Sequence, residues 1–347
     1  MRRLFFILTI FGCGQLAAQG FYNNGAIVSI STATILSVPD SIVNHGTLIN
    51  NGQIIIAGAW INSGTYDAGS GEVTFDSDLD QVINHNAQSI EKLVISGGGK
   101  KEFLADIFVQ SALTLNDGVL VSKNGARIVM DQSVTITGGS DQSHINGPVE
   151  RKGAGDWTYP IGNGTTYLPV TISGVTDASA FGIITLHEIT NEVLTVDTSL
   201  NEISKKRYWE LASSGDALKS ASIIFTLADE ELDGDITVGR SNTSTGPYSD
   251  LHHDSPTFKY YAFATQKVET DHKITIYNAV SVGNDGKNDL FYINNIEFYK
   301  SNTVVIHNRW GDRVFESTGY DNNQTAFADC RRMEVSFRPE RIFIPSI

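Results

Sequence analysis

Three corners fall close together in the first third of the chain: Asn44-His45-Gly46, Asn50-Asn51-Gly52 and Asn62-Ser63-Gly64, six and twelve residues apart. Corners so near each other leave room only for strands of three to six residues. A strand that short cannot bury a face alone, so it must stack on further copies of itself. Asn and Gly tolerate the left-handed backbone of a tight corner. Between the corners, Leu48, Ile54, Ile56, Trp60 and Tyr66 can alternate inward. The pattern returns at Asn116-Asp117-Gly118 and Asn124-Gly125. No strict repeat length is visible, but the spacing predicts the rungs of a β-solenoid over residues 20–145. The competing arrangement is a meander of Asn-Gly hairpins.

From about residue 146 the character changes. Pro148, Pro160 and Pro169 fall within a short span, and strands lengthen in FGIITLHEI, KKRYWEL, ASIIFTLAD, DITVGRS, KYYAFATQ and HKITIYN. Aromatic and β-branched residues at these spacings predict an antiparallel β-sandwich over 146–275. Trp209, Phe225, Tyr260 and Phe263 are its expected core. Gly is abundant at 32 residues, Pro scarce at 8, and helical periodicity is rare. The 347-residue chain therefore reads as all-β. Its net charge of −14 argues against a nucleic-acid partner, which would require a basic face.

The first 19 residues read as a secretory leader. Arg2 and Arg3 precede the apolar run Leu4–Phe11, too short to span a bilayer, and Ala17-Ala18 suits cleavage. The alternatives are a short buried strand, or a lipoprotein site at Cys13. Cys13 and Cys330 are the only cysteines, so the body between them has to be stable without a disulfide.

No catalytic constellation is visible. Gly-x-Ser-x-Gly, His-Glu-x-x-His and phosphate-loop motifs are missing. SGGGKKEF (96–103) reads as a turn. His252-His253-Asp254, with His272 nearby, is the most metal-like cluster, but adjacent strand residues face opposite ways. ADEELDGD (228–235) reads as a solvated connection. Asp76, Asp78 and Asp80 are the one carboxylate row in the solenoid region, where a polysaccharide lyase or hydrolase would group carboxylates with a base; they read as a solvated strand end.

The C-terminal stretch is more specific. Asn278 precedes a turn with Asp285, Gly286, Asn288 and Asp289, then the aromatic Phe291. Asn308-Arg309-Trp310-Gly311 makes a second turn, followed by Val314-Phe315 and Gly319-Tyr320-Asp321. In this order the residues resemble the gliding-motility-associated C-terminal domain, the type B sorting domain of the type IX secretion system. The resemblance covers about 45 residues and places the sorting domain over 276–327. It implies a small β-sandwich and partners in the general secretion machinery and the type IX translocon. One departure is Val282-Gly283-Asn284, where the family has Pro-Asn-Gly. Asp285, Asn288 and Asp289 also gather oxygens that could hold Ca²⁺, against a turn closed by its own side chains. Arg309 beside Trp310 suits a cation–π pair.

The family closes with a Gly-rich turn and the strand Leu-Pro-x-Gly-Thr-Tyr-Phe-Tyr. Here residues 328–347 differ and carry Cys330, Arg331, Arg332, Arg338 and Arg341. A one-step frame change restores the family ending. Met333-Glu334 then necessarily yields Gly, and from Phe337 the shifted frame permits Pro-Ala-Gly-Thr-Tyr-Phe-Tyr-Thr. The tail thus reads as frameshifted, with a divergent ending as the alternative, and the sorting domain as incomplete. The whole is expected to be an exported, secreted or surface-attached structural or adhesin-like protein without catalysis or cofactor. A carbohydrate-binding or polysaccharide-degrading surface protein is the alternative, with a glycan as the possible ligand.

Overall fold

The structure is a computed structural model that describes residues 20–228, 230–250, 256–267, 273–276, 290–299, 301–307 and 310–327. It is all-β and divides into two compact units at Lys267/Val268. In the first, the chain winds into a β-solenoid. Seven parallel strands, from Phe21–Asn23 to Ile145–Asn146, form one side, one per turn. Ile27–Ile30, Thr47–Asn50 and Thr65–Asp67 form a second side in the early turns. A main sheet rises from Ile35–Val38 through Gln53–Ile56 and Glu72–Asp76 to Ile107–Leu115 and beyond.

Stacking is in register. On the main sheet Val38, Ile56, Phe75, Ile95 and Leu115 lie one above the other, each buried. On the first side Ile42, Trp60, Ile83 and Phe103 do the same. Leu48, Ile54, Ile56, Trp60 and Tyr66 all point inward, as the alternation predicted. Partners on successive turns of the first side are 21, 18, 23, 20, 19 and 25 residues apart. On this side the strands stay short while the rest of each turn absorbs the difference, so no fixed period appears in the sequence; on the main sheet Ser89–Ser96 and Ile107–Leu115 run to eight and nine residues, longer than the corner spacing predicted.

The corners work differently from the expectation. Asn44, Asn50 and Asn62 are the last residues of their strands, not left-handed turn residues. Their side chains turn inward. The Asn23 Nδ2 donates to Asn44 Oδ1 and the Asn44 Nδ2 to Asn62 Oδ1, each at 2.8 Å, forming a buried ladder that climbs turn by turn. Asn44 Nδ2 also reaches Thr65 O at 3.1 Å, and the Gly46 amide donates to Asn44 Oδ1 at 3.3 Å, so the asparagine supplies polar groups that the corner would otherwise leave unpaired. Gly46, Gly52 and Gly64 are required for close approach. A Cβ on Gly64 would lie 2.1 Å from Gly46 O, and on Gly46 or Gly52 it would lie 2.3 Å from Ala26 O or Thr34 O. These carbonyls accept the amides of Thr65, Thr47 and Gln53 at 2.8–2.9 Å. Only at Asn124 (φ 57°), Gly125 (φ 73°) and Gly118 (φ 107°) do the expected corners use positive φ.

At the level above Asn62 the interior holds His85. Trp60 Nε1 donates to its Nδ1 at 2.9 Å, and Nε2 lies 3.2 Å from Ser89 O. Nδ1 is thus the acceptor and Nε2 carries the proton, which fixes a neutral ring. The ring packs against Tyr66 at 5.0 Å. Burial pushes its pKa down to about 4.

Near residue 146 the main sheet changes pairing without a break. Val149–Lys152 pairs parallel with Ile128–Asp131 and antiparallel with Phe181–Glu188. The antiparallel part continues through Arg207–Ser213 and Tyr260–Gln266. A second sheet of Gly155–Tyr159, Val170–Val175 and Ser222–Phe225 completes the sandwich. Trp209 meets Phe225 and Phe263 at 5.0 and 5.3 Å between ring centres, and one apolar cluster runs from the solenoid into this core. Tyr260 does not join it. Strand alternation turns its neighbour Tyr261 inward and sends Tyr260 to the other face, 6.0 Å from Tyr208.

Two outcomes check this architecture. Gly64→Ala is expected to destabilise the first unit by about 1–3 kcal/mol through overpacking. At this size that lowers the melting temperature by roughly 2–4 °C per kcal/mol in a calorimetric scan; an unchanged melting temperature contradicts the close approach. His85 binds its proton more weakly folded than unfolded. Its contribution is therefore complete above its unfolded pKa and falls as pH drops from about 6.5 to about 4. The loss amounts to about 3 kcal/mol. Comparing the unfolding free energy of His85→Gln with that of the original chain at pH 7 and pH 4 checks it, and the variant should lack this step.

Candidate functional site

The second unit holds the sequence motif. Asn278, Asp285, Gly286, Asn288, Asp289, Asn308 and Arg309 lie outside the described residues, and with them the Ca²⁺ candidate Asp285, Asn288 and Asp289. The remainder is brought together. Thr303–His307 and Arg313–Thr318 form an antiparallel hairpin, and Thr275–Ile276 pairs with Ile293–Asn294. Val304 and Ile306 alternate inward to meet Phe291, Ile293, Ile296, Tyr320 and Phe327. Gly311, at φ 91°, turns the hairpin, and Trp310 before it is exposed.

Gly319-Tyr320-Asp321 is the joint of this unit. Gly319 adopts φ 68°, which favours glycine, and reverses the chain. Tyr320 then enters the core. Its hydroxyl donates to Phe291 O and accepts from the Phe327 amide at 3.2 Å. The Phe291 amide in turn donates to Phe327 O at 2.9 Å. One phenol thereby ties two segments 36 residues apart, Phe291 and Phe327. Burial raises its pKa, keeping the hydroxyl protonated and able to donate.

Asp321 is exposed and closes the corner: its Oδ1 accepts from the Thr325 amide at 3.0 Å, the Asn323 amide at 2.9 Å and the Thr325 hydroxyl at 2.9 Å. These bonds hold its carboxyl below the usual carboxylate range. Two further residues escaped the motif reading. Asn302 bonds the Tyr320 amide (2.7 Å) and carbonyl (3.1 Å). Asn322, at φ 60°, bonds the Ile293 amide (2.8 Å) and carbonyl (2.7 Å), acting as a strand partner. The Asn322-Asn323 pair after the motif was the available signal.

His252, His253, Asp254 and His272 lie outside the described residues, as do residues 1–19, with Cys13, and residues 328–347, with Cys330. No group of three or more His, Cys, Asp or Glu among the described residues is placed to hold a metal ion. No helix among them is long and apolar enough to cross a membrane. Within ADEELDGD, Glu230 departs from the solvated connection expected there. It is buried, accepts from Ser204 Oγ at 2.5 Å and pairs with Arg207 Nε at 3.3 Å, which offset its desolvation.

The row Asp76, Asp78, Asp80 surrounds a feature that the sequence reading missed. Only the glycines of SGGGKKEF form the expected turn, since Lys100–Phe103 is a strand, and its Lys101 points into the solenoid and is buried. Its Nζ donates to Ser77 O and Gly98 O, both at 2.6 Å. Burial lowers its pKa, opposed by Asp76, Asp117, Asp80 and Asp78. Gly97, Gly98 and Gly99 all take positive φ in the turn that presents Gly98 O to the ammonium, while Ser77 O comes from the turn before. The alternation across Lys100–Phe103 would have pointed to Lys101 as inward.

Comparison with curated proteins and with solved structures gave no match. Residues 274–334 match the family model of the CHU_C Type IX secretion signal domain, and a domain of this kind indicates export through the type IX secretion system to the cell surface or the extracellular space.

Proposed function

We propose that this chain is a non-catalytic, adhesin-like structural protein that the general secretion machinery carries across the inner membrane and the type IX translocon across the outer membrane. In this reading the solenoid and sandwich are a rigid body presented outside the cell, and the second unit is the label that the translocon reads. The single observation that carries it is the coincidence of the secretion-signal match with the unit closed by Tyr320. A second reading, glycan binding at the surface, draws on an open groove of about 830 Å³ that carries Arg127, Glu150 and Phe181. Residues from about 328 are, in the same proposal, the product of a shifted reading frame, with the family match running on to residue 334. The resemblance implies a closing strand that covers a sheet edge, so a chain with the repaired ending should be sorted better.

Deleting residues 274–347 is expected to leave the protein inside the outer membrane, measured by immunoblot of cell and medium fractions; equal export of the deleted chain contradicts the reading. Tyr320→Phe leaves Phe291 O and the Phe327 amide without their partner, at a cost of about 1–3 kcal/mol. Its export should fall with the loss of protease resistance in the second unit. Sequencing the locus checks the tail: a shifted frame that cannot encode Gly-Thr-Tyr-Phe-Tyr rules out the frameshift.

A further inference from the structure

We propose that the groove where the main sheet changes from parallel to antiparallel pairing binds an uncharged saccharide chain; this rests on the glycan reading above and gives it a site. The groove has a volume of about 830 Å³, within the usual range for ligand sites. Its floor follows from strand register. Asp131 lies opposite Lys152, which lies opposite Phe181; Val129, Glu150 and Ile183 form the next such row. Alternation places both rows on one face, with Arg127 next along the same edge.

The polar groups are already held in place. Glu150 is buried, and its two oxygens bind Arg127 Nη1 at 2.7 Å and Lys152 Nζ at 3.1 Å. Arg127 is gripped on its other side by Asp106, through Nη2 at 3.1 Å and its own backbone amide at 2.8 Å. Arg127 and Lys152 remain more than a third exposed. Two cations face three carboxylates, Asp106, Asp131 and Glu150, which leaves one excess negative charge that disfavours an anionic ligand. A charged ligand would have to break one of these pairs, whereas sugar hydroxyls both donate and accept without displacing either partner. Because the network is fixed beforehand, a ligand orders little on binding. Phe181 is 37% exposed at the rim and offers a ring to the apolar face of a pyranose.

The test uses the whole exported protein and hexasaccharides of β-linked glucose, mannose and xylose, with oligogalacturonate as the anionic probe, by titration calorimetry. At least one neutral hexasaccharide is expected to bind. Phe181→Ala should weaken it by about tenfold, the upper worth of one aromatic contact. Glu150→Gln removes the charge that balances Arg127 and Lys152 and should shift preference towards oligogalacturonate. If no neutral hexasaccharide binds at about 10 mM, or Phe181→Ala binds as tightly as the original chain, the proposal is overturned. If oligogalacturonate is the tighter ligand of the original chain, the charge argument fails with it. Export, measured in the same cultures, is independent: an exported protein that binds no saccharide overturns the groove and leaves the secretion reading intact.

Discussion

The carbonyl of Gly46 receives the amide of Thr65 from the next turn at 2.8 Å, and Gly64 has no side chain to hold the two backbones apart. This contact recurs from Ala26 to Thr47 and from Thr34 to Gln53. It lets the corner of one turn sit directly on the last, alongside the parallel ladders. In that stack Val38, Ile56, Phe75, Ile95 and Leu115 fall into one column, and Asn23, Asn44 and Asn62 into another. Strands of three or four residues become stable only through this repetition, since each alone is below the size at which a sheet persists.

The consequence is a body suited to life outside the cell. Between Gly20 and Phe327 the chain has no cysteine, so disulfides cannot contribute there. Stability comes instead from a core that continues from the solenoid into the sandwich, together with paired interior polar groups. Those groups differ in their response to acid. The asparagine ladder carries no charge and is indifferent to pH, whereas His85 must stay neutral to accept from Trp60. Lys101 is a buried ammonium wrapped in carbonyls and ringed by aspartates.

Much of the fold was legible in the sequence because short-range spacing carries it. Corner spacing revealed the solenoid, alternation identified Leu48, Ile54, Trp60 and Tyr66 as core, and rare residues in order identified the second unit. What stayed hidden depended on contacts between turns. The asparagines look like turn residues, and only the stacked structure shows them facing inward. Tyr260 and Tyr261 are adjacent aromatics, and sequence alone cannot say which parity faces the core. Of the groove residues, Arg127 immediately precedes the strand Ile128–Asp131, while Glu150 and Phe181 lie on two strands that register brings beside it, so no local motif announces them.

Within the second unit, Gly319 turns the chain, Tyr320 bolts Phe291 to Phe327, and Asp321 closes the corner. A motif built from such residues can be recognised in sequence because each is needed for the unit to close. Its role as an address label is tested most directly by fractionating cells and determining the intact mass and N-terminus of the native protein. A chain found at the cell surface or in the medium, beginning near Gln19, is the predicted result. A full-length chain confined to the cytosol and starting at Met1 would contradict it.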